Sequence, residues 1–105
     1  MSTKSKKNNF TLKDFEKKFG VLTFGEALTA WRLGSEILQK DFSIKLGISP
    51  ANLCDLEKGR KLPTPARAAK IAKIIGASPL LFVQLVLEDM LRRDKLSFKV
   101  RVEAA

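Results

Sequence analysis

The 105-residue chain contains no histidine, no tyrosine and one cysteine, Cys54. Without histidine the commonest general acid–base side chain is missing, and no G-x-S-x-G, P-loop or G-x-G-x-x-G pattern occurs in its place. An enzyme is therefore not expected, and no catalytic residue is assigned. A lone cysteine forms no intramolecular disulfide, and without histidine beside it no zinc site; the sequence predicts a reducing compartment, no metal and no cofactor. Long apolar runs are also lacking. The longest, residues 79–87, is interrupted by Gln84 and falls far short of the roughly 20 residues that span a bilayer, and the opening MSTKSKKNNF has no apolar segment of the signal-peptide kind. A cytoplasmic protein that engages no membrane is expected.

Positive charge is abundant. Twenty Lys+Arg against eleven Asp+Glu leave a formal +9, which makes a polyanion the first partner to consider. With 45% apolar and 30% charged residues the composition is globular, and the length suits one compact domain with short appendages.

Residues 1–9, with Lys4, Lys6 and Lys7 among Ser, Thr and Asn, read as a disordered basic arm. Residues 10–22 read as a helical extension, since Leu12, Phe15 and Phe19 share a helical face and Gly20 stops it. Thr23 and Glu26 then form a T-x-x-E capping box, and Ala27, Leu28 and Trp31 make an apolar stripe ending at Gly34, with Trp31 expected in the core. Ile37 to Leu46 predicts a second helix closed by Gly47. Ser49 and Pro50 open a third, which carries Leu53 and Leu56 inward before Gly59. Thr64 and Pro65 open a fourth, closed by Gly76, and Ser78 and Pro79 open the longest, through about Lys95. Phe98, Val100 and Val102 alternate with Lys99, Arg101 and Glu103, which predicts a short terminal strand.

Two short helices joined by Leu46-Gly47-Ile48-Ser49, with small Ser43 four residues before the glycine, have the form of a helix-turn-helix. At Gln39, Lys45-Leu-Gly-Ile-Ser49, Asn52-Leu-Cys-Asp-Leu-Glu-Lys-Gly-Arg60, Pro63 and Ile71-Ala-Lys-Ile-Ile-Gly76, the sequence resembles the XRE family within the lambda repressor/Cro superfamily. The resemblance implies an all-α, five-helix, lambda-repressor-like DNA-binding domain over residues 23–82, here with the extra N-terminal helix and the short C-terminal β-strand.

The resemblance also implies roles. Arg32 and Glu57 match an internal structural pair that ties the first helix to the end of the recognition helix. Gln39 matches a scaffold-helix residue that meets a phosphate, and Lys40, Ser49, Lys58, Arg60 and Lys61 are further phosphate candidates. The base-reading candidates are Pro50, Ala51, Asn52 and Asp55. Asn52 suits adenine, Ala51 a thymine methyl, and Asp55 either accepts from cytosine N4 or orients a nearby basic residue. Direct readout is expected to be sparse, with half-site spacing and DNA shape supplying further specificity. Glu36 and Leu38 stand where the family has a glycine and a Ser or Thr cap, which leaves Ser35 as an alternative cap for an earlier helix start. Cys54 lies beside the reading face, where a lone cysteine is usually inert.

Residues 79–105 form the expected dimerisation or partner-binding segment. Leu81, Val83, Leu85, Leu87, Met90 and Leu91 are among apolar positions that cover nearly every face except the stripe Gln84, Glu88 and Arg92, so a partner surface is expected on this helix, with Phe98, Val100 and Val102 extending it. The function these features imply is a homodimeric, sequence-specific regulator, a repressor or autoregulator, on a two-fold site in double-stranded DNA. The alternative is an antitoxin that neutralises a partner toxin and autoregulates its operon. An RNA-binding role has weaker support, because RNP aromatics and a GXXG loop are missing.

Overall fold

In a computed structural model, which describes residues 21–105, four of the five helices start on a side chain that caps them. The helices are α1 (Phe24–Gly34), α2 (Gln39–Leu46), α3 (Pro50–Glu57), α4 (Pro65–Ile75) and α5 (Pro79–Arg93). Thr23, Ser49, Thr64 and Ser78 accept from the backbone N–H three residues on, at 3.1, 3.1, 3.1 and 3.2 Å. At α1 the capping box closes reciprocally, with Thr23 N–H donating to Glu26 Oε1 at 3.0 Å. Proline follows the cap in α3, α4 and α5, where its missing N–H costs no helical bond. Gly47 and Gly76 close α2 and α4 in the left-handed region, φ 72° and 82°.

The second helix departs from the expected start at Ile37. It begins at Gln39, and Leu38, exposed at 72%, holds the N-cap position with no side chain to bond the first turn. Ser35 is not its cap: its N–H donates to Trp31 and Arg32 carbonyls and so closes α1. Glu36 adopts φ 56°, a conformation that favours glycine, and this left-handed residue turns the chain between the two helices.

One core joins all five helices. Phe24 and Leu28 of α1, Phe42 and Leu46 of α2, Leu53 and Leu56 of α3, Ala68, Ile71, Ala72 and Ile75 of α4, and Phe82, Leu85 and Val86 of α5 are buried together. Each large side chain removed from water contributes about 1.5–3 kcal/mol before the entropy of ordering it is subtracted. Phe24 and Phe82 meet edge to face, centroids 5.5 Å apart, which fixes α5 against the start of α1. Asp89 reinforces that junction. Its buried carboxylate accepts from Phe24 N–H at 2.9 Å and pairs with Arg92, while burial pushes its pKa above the ordinary value.

The basic arm and the extra N-terminal helix, save Val21 and Leu22, lie outside the described residues. Several other expectations are corrected. The C-terminal strand does not form: residues 96–105 have no strand pairing among the described residues, because a strand needs a neighbouring edge and the five helices offer none. Val100 N–H instead donates to Glu88 Oε2 at 2.9 Å. That contact explains a second correction, since Glu88 lies on the supposed polar stripe of α5 yet is 2% exposed beneath this segment. Leu85, expected at a partner surface, is fully buried within its own core. Trp31, expected in the core, is 40% exposed. The helix ends at Arg93 rather than Lys95, which is left-handed at φ 61°.

Helix α1 approaches α3 through Gly25. A Cβ there would lie 2.5 Å from Glu57 O and 2.6 Å from Leu56 O, both backbone atoms that cannot yield. Gly25→Ala is expected to destabilise the protein by about 1–3 kcal/mol. Leu38→Ser, which supplies the missing cap, is expected to stabilise it by about 1 kcal/mol. Urea unfolding monitored by circular dichroism measures both, and equal midpoints for the two variants would contradict this account.

Candidate nucleic-acid interface

The outward face of α3 is set by three constraints. At its start, Ile48 N–H donates to Ser43 O at 3.0 Å across the turn, and Ser43 is fully buried, so the small side chain permits close approach of α2 and α3. Within it, Leu53 and Leu56 anchor the inner face. At its end, Glu57 is held by two other helices. Arg32 Nε and Nη2 donate to Glu57 Oε2 and Oε1 at 2.7 and 3.1 Å, and Gln39 Nε2 donates to Oε1 at 2.9 Å. Arg32 Nη1 also donates to Ile37 O at 3.0 Å, so one guanidinium ties α1, the α1–α2 turn and α3 together. Such a desolvated, bidentate pair is well satisfied here, and removing either member would strand a buried charge.

Pro50 and Ala51 are exposed at the leading end of α3, and Asn52 and Asp55 are half-buried one turn apart. Ser49 accepts from Asn52 N–H, so one of its acceptor sites is occupied as a cap. Asp55 is claimed by cations: Arg60 Nη1 donates to it at 3.0 Å and Lys61 Nζ stands 3.5 Å away. The backbone supports this, because the N–H groups of Arg60 and Lys61 both donate to Asp55 O, at 2.9 and 3.3 Å, and fold the loop back onto α3. Of the two roles open to Asp55, this geometry matches the orienting one. Lys40 and Lys58 are exposed. Cys54 is half-buried with its Sγ 3.9 Å from Arg60 Nη1.

Two groups of site residues are thus brought together, Arg32–Gln39–Glu57 inside and Asp55–Arg60–Lys61 outside. The proposed partner residues are not gathered in the same way. On α5, Leu81, Val83, Leu87 and Leu91 are half-buried and Met90 is exposed; in the terminal segment Val100 and Val102 are half-buried and Phe98 is exposed at 64%. Sequence reasoning missed Arg93, whose Nη2 donates to Gly59 O at 3.1 Å from 34 residues away. It also missed Asp89 and Gly25. No local signal marks these residues, because each acts on a partner remote in sequence.

With this geometry in place, comparison with known proteins places the chain. A family model described as helix-turn-helix matches residues 28–82, more than half of the sequence, and the chain belongs to this XRE-type helix-turn-helix family of DNA-binding domains. No curated protein and no solved structure matches it. No helix among the described residues is long and apolar enough to cross a membrane.

The Asp55 cluster has a pH signature. The hydrogen bond from Arg60, with the charge of Lys61 beside it and against the opposing effect of desolvation, holds the Asp55 carboxyl below its ordinary 3.8. A folded pKa below the unfolded one stabilises the folded loop above pH 3.8, and that contribution is lost as pH falls through the lowered value. Carboxyl-carbon NMR titration is expected to place Asp55 below 3.8, with Arg60→Ala moving it back up. An unchanged midpoint in Arg60→Ala would show that the pair does not hold Asp55 in solution.

Proposed function

We propose that the protein is a sequence-specific transcriptional regulator that places α3 in the major groove of a two-fold operator as a homodimer, and represses by occupying it. The observation that carries this reading is the outer face of α3, where Asn52 stands between exposed Ala51 and an oriented Asp55–Arg60–Lys61 cluster on a base locked by Glu57. An asparagine amide pairs with adenine N6 and N7, whereas the flanking cations neutralise phosphates without reading sequence. Exposed Lys40 at the start of α2 adds a contact to the other side of the groove, beside half-buried Gln39, whose Nε2 is held by Glu57 and whose backbone N–H lies at the positive helix end that favours phosphate. Homodimerisation is supported by a largely apolar groove of about 680 Å³ between α1 and α5, lined by Val21, Ala27, Trp31, Ala77 and Leu81 among others.

The antitoxin reading has one observation in its favour. Phe98 is 64% exposed on a terminal segment without strand pairing among the described residues, so this large apolar side chain is available to another protein. A stable complex with the product of an adjacent small reading frame would support it.

The test of the regulator reading is a footprint on DNA upstream of the protein's own gene, at physiological salt with excess competitor DNA. Protection of two half-sites about one helical turn apart is expected. Asn52→Ala is expected to relax preference at one base position per half-site, a loss of about 1–3 kcal/mol confined to that base. Equal affinity for shuffled duplex would overturn sequence-specific regulation.

A further inference from the structure

Of the four cations expected or found around the end of α3, two are already spoken for. Arg60 and Lys61 share the carboxylate of Asp55, at 3.0 and 3.5 Å, so part of their charge is spent within the protein. The other two are Lys58 and Arg93. Neither has a carboxylate within ion-pair distance among the described residues, and both are exposed.

These two side chains flank Gly59. Lys58 is the residue that closes α3, and Arg93, the last residue of α5, reaches the same turn and donates through Nη2 to Gly59 O at 3.1 Å. That bond uses one of five guanidinium N–H donors and leaves the others for a second acceptor. The hollow between them, about 510 Å³, is also bordered by Glu26, Glu57 and Asp89. Each of those carboxylates has an internal partner: Glu26 takes Thr23 N–H, Glu57 takes Arg32 and Gln39, and Asp89 takes Phe24 N–H and Arg92. Each acid beside the hollow thus has a hydrogen-bond partner within the fold, whereas Lys58 has no carboxylate at ion-pair distance and Arg93, whose charge also acts on Asp89, keeps guanidinium donors beyond the one on Gly59 O.

We propose that Arg93 is a DNA-contact residue, which together with Lys58 forms a phosphate clamp across Gly59 and extends the protein's grip on the backbone from the end of the recognition helix to the end of α5. The clamp binds a DNA backbone phosphate and carries no base specificity. Its consequence is that α5, whose Asp89 and Phe82 brace α1, also fixes how far along the duplex the domain reaches. This rests on the DNA-binding reading above and adds to it a contact contributed from outside the matched residues 28–82.

The experiment is the salt dependence of duplex binding by the full chain, for the wild type and for Arg93→Gln, Arg93→Lys, Lys58→Gln and Arg101→Gln. The last removes one positive charge that already stands 4.0 Å from Glu103 and lies outside the clamp. Each phosphate contact contributes about 0.9 to the slope of log K against log salt. Arg93→Gln and Lys58→Gln are expected to make the slope shallower by about 0.9 each, on specific and shuffled duplex alike. Arg93→Lys and Arg101→Gln are expected to leave it unchanged. If Arg93 served only to hold the Gly59 turn, Arg93→Gln would lower the thermal midpoint without changing the slope, and that result overturns the proposal. A slope lowered as much in Arg93→Lys, or as much in Arg101→Gln, overturns it too, since lost geometry or net charge alone would then suffice. Failure of the wild type to bind duplex in a salt-dependent way would overturn the DNA reading itself, an outcome distinct from an unchanged slope in Arg93→Gln.

Discussion

The carboxylate of Glu57 is the point on which the arrangement depends. It ends α3, accepts two bonds from Arg32 of α1 and one from Gln39 of α2, and its backbone carbonyl faces Gly25 at a distance that admits no Cβ. A buried carboxylate with both oxygens bonded to donors from two helices cannot move without stranding a donor or an acceptor, so the pair fixes direction as well as proximity. Hydrophobic contacts between α1 and α3 would by themselves tolerate sliding. The ion pair and the glycine contact remove that freedom, and the outer face of α3 inherits the precision.

A second set of polar contacts performs the same task for α5. Asp89 reaches the first turn of α1, Glu88 holds the terminal segment through Val100 N–H, and Arg93 reaches the turn after α3. The last helix is thereby part of the domain rather than a detachable appendage. Its acids face inward and its final arginine faces the loop beside the recognition helix. Charge is distributed accordingly: Glu57, Glu88 and Asp89 are consumed inside, while Lys58, Arg60, Lys61 and Arg93 stay exposed around the end of α3.

Much of the local structure was legible in the sequence because it depends on residues three or four apart. Thr23 with Glu26, Ser49 with Pro50, and Thr64 with Pro65 announce helix starts, and Gly47 and Gly76 announce stops, through backbone bonds that neighbouring residues alone satisfy. The weak start of α2 was visible as well, in Glu36 and Leu38 standing where a glycine and a cap would serve better. Trp31, Glu88 and Leu85 were misplaced for one shared reason. Periodicity gives the direction of a side chain around its own helix, but which faces are covered depends on where the other helices and the terminal segment lie.

The sequence by itself determined the all-α class, the helix-turn-helix register and the identity of the residues on the leading edge of α3, since caps, glycine stops and helical spacing are short-range. Tertiary structure decided which cations remain unpaired, which acids are buried and what lies beside Gly59. Those outcomes rest on contacts such as Arg32–Glu57 and Arg93–Gly59, which join residues 25 and 34 positions apart. No local propensity encodes such pairs. They arise only when a shared core brings five helices to one place and each buried charge must find its partner there.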